Sequence, residues 1–95
     1  MSTEAAEIRR LASEVIAEQF EGVDIVSVTM EETEDEAGDG ILAFRIVFDS
    51  RTDKLDPKRV AGLIRHLRSR LHDVAEERFP VVAFVSKAEA AAEAA

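Results

Sequence analysis

The chain has no cysteine, no tryptophan and no tyrosine. Without cysteine there is no disulfide to staple the fold and no thiolate for nucleophilic or metal-binding chemistry. Without tryptophan or tyrosine there is little aromatic surface on which nucleic-acid bases can stack. No N-terminal apolar run resembles a signal peptide, and no apolar segment is long enough to span a bilayer. A cytoplasmic location with no membrane partner is the expectation. There is no phosphate-binding loop and no nucleophile elbow. Gly38-Asp39-Gly40, followed by Ala43, has a dinucleotide-like spacing. It leads into a strand, whereas that fingerprint needs a helix N-terminus to receive the pyrophosphate. No residue is therefore expected to be catalytic, to hold a cofactor or to ligate a metal, and the chain reads as non-enzymatic.

Ninety-five residues suit one domain with a single modest core. The formal net charge of −8 disfavours a general nucleic-acid binder, which must neutralise phosphates. The charge is uneven: residues 1–40 hold twelve of the twenty acids and two of the twelve bases. An electrostatically two-sided molecule follows.

The clearest periodicity lies between Leu55 and Arg78. Val60, Leu63, Ile64, Leu67, Leu71 and Val74 recur at three- and four-residue steps, the apolar stripe of an α-helix. Asp56 is placed to cap it, Pro57 suits the first helical position, and Leu55 with Val60 has the spacing of a hydrophobic staple. Pro80 marks the exit, because the residue before a proline is pushed out of the α region. Gly62 is costly inside a helix, by about 1 kcal/mol relative to alanine, and points to a close contact or a kink. On the flanks the helix carries a basic face. Lys58, Arg65, Arg68 and His72 fall along one side, Arg59, His66 and Arg70 along the other. Such a face serves either as solvated surface or as a contact for phosphate or an acidic partner. His66 and His72 point about 120° apart at 100° per residue, so they do not form a metal-binding pair. His72 has Glu76 one turn on.

An earlier helix is expected from a cap at Ser2 or Thr3, with Glu4 and Glu7 in its first turn. Ile8, Leu11, Ala12, Val15, Ile16 and Phe20 keep helical spacing, and Gly22 is the stop. Val23 to Met30 is rich in β-branched residues and reads as a strand. Val26, Val28 and Met30 share one face; Ile25, Ser27 and Thr29 share the other. Ile41 to Phe48 is the partner strand, with Leu42, Phe44, Ile46 and Phe48 on the apolar face. Gly38 and Gly40 supply the turn of an antiparallel hairpin with a long loop. Ser50 to Lys54 is a polar connection. Val81 to Ser86 is a third strand.

The resulting fold class is α+β, a two-layer α-β-β-α-β sandwich with a three-stranded sheet and two helices on one face. Residues 1–87 form the single domain, and 88–95 are an alanine-rich tail, frayed or disordered. The second strand, central helix and third strand should make a right-handed crossover. The other sheet face then keeps Ile25, Ala43, Arg45 and Val47, with either Val82 and Phe84 or Val81 and Val85. That is apolar for a face left in water, and a homodimer through these residues is expected, with Arg45 meeting an acid across the interface.

The stretch Glu31 to Gly40 carries Glu31, Glu32, Glu34, Asp35, Glu36 and Asp39, the hard oxygen ligands that calcium or magnesium takes. Aligned to a calcium loop starting at Asp35, it offers Asp39 and Gly40 but fails at Ala37 and Ile46. A solvated acidic loop is the favoured reading.

Ala61-Gly62-Leu63-Ile64-Arg65, followed by Arg78, Pro80 and Phe84, resembles a segment of the bacterial ribosome-binding factor A family, a variant of the RNA-binding KH fold. In that family an Ala-x-Gly element kinks a helix pair before the last strand; here Gly62 follows Ala61 directly, and no Gly-x-x-Gly clamp is present. The resemblance implies a KH-like fold and a ribosome- or RNA-associated role. Three functional readings follow. The first is a small domain acting by protein association, with an unidentified protein partner or a second copy. The second is an RNA- or ribosome-associated module using the basic helix. The third is a cation-responsive domain using the acidic loop.

Overall fold

The computed structural model describes residues 5–49 and 56–94. The expected cap at Ser2 or Thr3, the acid Glu4, the connection Ser50 to Lys54 and the staple residue Leu55 lie outside the described residues. The elements run α1 (Ala5–Gln19), β1 (Ile25–Glu34), β2 (Gly40–Phe48), α2 (Pro57–Asp73), β3 (Phe79–Ser86) and α3 (Lys87–Ala94). The strands form one sheet in the order β1-β2-β3. β1 pairs antiparallel with β2, and β3 pairs parallel with it. This is the expected α+β architecture, and the parallel pair is joined through α2, as a crossover requires. No helix among the described residues is long and apolar enough to cross a membrane.

The core lies between the sheet and the α1–α2 layer. Ile8, Ala12, Val15, Ile16 and Phe20 face Leu42, Phe44 and Ile46 and the α2 stripe of Leu63, Leu67 and Leu71, all essentially without solvent contact. The Phe84 ring packs on Phe20 at 5.2 Å between centroids and edge-on to Phe48 at 6.4 Å, arrangements favoured by the ring quadrupoles.

Three departures from the sequence reading have identifiable causes. First, β1 pairs in register from Ser27 to Glu34, but Ile25 lies opposite Phe48 while Ser27 lies opposite Val47, so the ladder is irregular at Val26. One extra residue in one strand reverses the alternation beyond it. Ile25 therefore packs against the core and Val26 is half exposed, the opposite of strict alternation. Second, β1 continues through Glu34, so Glu31, Glu32 and Glu34 belong to a strand and only residues 35–39 form the turn. Pairing with Ala43, Leu42 and Gly40 outweighs the weak strand preference of glutamate, which is set by context more than by the backbone. Asp35 holds that turn: its Oδ1 accepts from the amides of Ala37 and Asp39, both at 2.9 Å.

Third, the central helix stops at Asp73, well before Arg78. Asp56 caps its start as expected, accepting the Lys58 amide at 2.9 Å, with Pro57 in the first turn. At the far end the Ala75 amide donates to the His72 carbonyl (3.0 Å) and the Glu76 amide to the Leu71 carbonyl (2.9 Å), the paired bonds of a Schellman ending. The left-handed position is Ala75, at φ 58°, where glycine is the usual occupant. The chain is thus already extended at Phe79, and Pro80 sits buried inside β3 opposite Leu42. An edge strand tolerates a proline because no partner needs its N–H. Ala75→Gly should raise stability by about 0.5–1 kcal/mol, since the strain removed exceeds the added unfolded-state freedom. Denaturant unfolding reads it, and a neutral or negative change would contradict the left-handed cap.

The tail forms the helix α3. Ser86 Oγ accepts the Glu89 amide at 3.1 Å, an N-cap bond, and donates to Glu89 Oε1 at 3.0 Å. Glu93 then ion-pairs with Arg45, which places the helix against the sheet face opposite α1 and α2. Of the two alternatives for β3, the register selects Val81 and Val85 for that face, while Val82 and Phe84 join the core.

Candidate functional site

The fold divides the residues of the basic face. α1 packs along one side of α2, and there Arg70 approaches Glu14 (3.5 Å) and Arg59 donates to the Glu21 carbonyl (3.4 Å). These two arginines serve the helix–helix contact. The opposite flank borders β3, and Arg65, Arg68 and His72 line a groove of about 830 Å³ between α2 and the start of that strand. Lys58 is exposed near the helix N-terminus and is not among the groove residues. Ile64 and Leu71 contribute apolar wall, and Phe79 closes one side. The Arg68 guanidinium lies 5.1 Å from the centre of the Phe79 ring, within cation–π range, while that ring stays 46% exposed. Gly62 meets nothing closer than the end of Arg65, at 3.9 Å from an added methyl, so packing does not demand glycine there.

The groove ends at a small ion cluster. Arg78 donates from Nε and Nη2 to Glu76 Oε1 (3.0 and 2.6 Å) and from Nη1 to Glu32 Oε1 (3.1 Å). It thereby ties β1 to the turn after α2. The Arg78 stem crosses Gly40, where a methyl group would come within 3.2 Å of its Cδ. The hydrogen bonds from Arg78 hold the Glu76 carboxyl below the usual glutamate range, against a desolvation that pushes it up. The same pair raises the Arg78 guanidinium. Glu76 is thus occupied by Arg78, and with the helix ending at Asp73 it is not the His72 partner that helical spacing suggests.

On the other sheet face, the expected dimer residues Ala43, Arg45 and Val47 stand together and are partly buried, without Ile25. Arg45 finds its acid in Glu93 of the same chain. Part of the face is therefore covered by α3, while Val81 remains 43% exposed. Among the described residues, no group of three or more acidic or histidine side chains is placed to hold a metal ion.

The sequence reading found the cationic flank but not Phe79 or the Arg78 cluster. Phe79 left a faint signal, an aromatic directly before a proline that cannot continue a helix. Of the partners of Arg78, Glu32 lies 46 residues away in β1, a separation that no local pattern reports, and Glu76, two residues before it, stands in the turn after α2 rather than on the helix the spacing predicts. No family model matches the chain, no curated protein matches it, and no solved structure matches it.

Proposed function

We propose that this chain is a non-enzymatic binding module that associates with an acidic protein partner through the groove beside α2. One observation carries the reading. Arg45, Arg59, Arg70 and Arg78 all have acceptors within the fold, whereas Arg65 and Arg68 line the groove and make no ion pair among the described residues. On a chain of net charge −8, concentrated exposed cations on one wall form a local field of opposite sign, which steers acidic surfaces and orients them. Phe79 and Ile64 add the apolar contact that a specific interface needs. An RNA-associated role, as the KH-like resemblance implies, would draw on the same cations. Acids crowd the groove's end, at Glu32, Glu76 and Glu77, and a polyphosphate is repelled there while a protein segment can place its charges selectively.

The test is direct. A glutamate-rich peptide should bind the wild-type chain, weakening with salt, and Arg65→Glu with Arg68→Glu should reduce affinity roughly 10–100-fold. Both side chains are exposed, so the thermal midpoint should hold. Unchanged peptide affinity in the double variant removes the groove from the function. Tighter binding of a single-stranded RNA of equal charge, lost in the same variant, replaces the protein reading with the RNA one.

A further inference from the structure

We propose that the acidic partner binds as an extended strand, adding to the free edge of β3 and setting alternate acidic side chains into the groove. This rests on the association reading above and specifies how it is achieved. The two edges of the sheet are not equivalent. β1 is irregular at Val26 and carries Glu31, Glu32 and Glu34 within the strand. Bulges and charges are the devices by which an edge discourages another strand. β3, from Phe79 to Ser86, has no charged residue, and its one interruption, Pro80, stands at its second position. Among the described residues its neighbour is β2, on one side only. Pro80 apart, the edge without such devices is thus the one that borders the cations.

Strand addition draws affinity from main-chain hydrogen bonds and specificity from alternate side chains. Beside β3, one set of side chains would point toward α2 and the other toward the face of Val81 and Val85. The first set meets Arg65, Arg68 and His72; the second meets an apolar surface. From Arg65 to His72 the helix rises about 10 Å, and alternate strand residues lie about 7 Å apart. Two acids at i and i+2 therefore fall within reach of the Arg65, Arg68 and His72 side chains. The fitting sequence alternates acidic and aliphatic residues. A second copy of this chain is a poor occupant. Pairing two β3 edges about a two-fold axis would bring the Arg65–His72 flanks of both copies side by side, with like charges opposed.

The experiment uses the full chain and a short synthetic peptide alternating Glu and Val, with two derivatives. One is N-methylated at the Glu amides only, the other at the Val amides only. In a strand, alternate amides point to the same neighbour, so one derivative loses every hydrogen bond to β3 and the other loses none. One derivative should bind about tenfold or more weaker than the parent, and the other within about twofold. Equal affinity or equal loss for the two overturns edge pairing while leaving association through the groove in place. Failure of every acidic peptide to bind removes the association reading and this one with it. A concentration-dependent dimer that the peptide displaces assigns the edge to a second copy and also overturns the proposal.

Discussion

Leu67→Ala should lower the unfolding free energy by about 2–5 kcal/mol, the range for truncating a fully buried leucine. Leu67 has no solvent contact and lies mid-stripe in α2, between Leu63 and Leu71. The helix is held there against α1 on one side and the sheet on the other, so the cavity has walls from three elements and little freedom to collapse. Urea unfolding followed by circular dichroism measures the change, and two-state behaviour is the norm for a domain of this size. A loss below about 0.5 kcal/mol, typical of surface positions, would show that the stripe faces water.

The second large effect belongs to Arg78→Met. The variant keeps the apolar stem over Gly40 but removes every donor to Glu76 and Glu32. The Glu76 side chain is only 10% exposed, and leaving such an acceptor unpaired costs about 1–3 kcal/mol. The pH dependence gives a second readout. The folded-state pKa of Glu76 lies below its unfolded value, so its stabilisation is fully present above the unfolded value and disappears as pH falls through the folded one. Wild type and variant should therefore differ most near neutrality and draw together as the pH falls below the ordinary glutamate range. A difference that stays constant across that range would assign the effect to packing alone.

These predictions draw on features of unequal legibility. The α2 stripe and the alternation of β2 are periodic, and burial follows period closely enough for Leu67, Phe44 and Ile46 to be read directly. The Ser86 cap with Glu89 three residues on was also written plainly, in four residues, beside alanines with little surface to bury. Other features leave no periodic trace. The irregularity at Val26 is a single residue, and it reversed the assignments of Ile25 and Val26 without altering composition. The end of α2 lacks the glycine that ordinarily marks it, so Pro80 seemed to set the boundary. Glu31 to Glu34 looked like loop because charge is a local property, whereas their strand comes from β2 across the turn. The groove was half visible. Angular position separated the two flanks, but only the placement of α1 shows that Arg59 and Arg70 find acceptors there, while Arg65 and Arg68 make no ion pair among the described residues.

The parallel pairing of β2 with β3 has a consequence for the growing chain. β1 and β2 are joined by a tight turn and can zip as soon as both leave the ribosome, but β3 follows only after α2 has been made. In that interval β2, largely apolar, is itself an open edge, and such edges recruit other nascent chains. Arg45 stands in the middle of that strand, the one charge between Gly40 and Phe48. A single cation inside an aliphatic run is how sequences keep an exposed strand from stacking with its copies. Its later partner Glu93 lies 48 residues further along the chain, so the guard is retired only after α2 and β3 have been made.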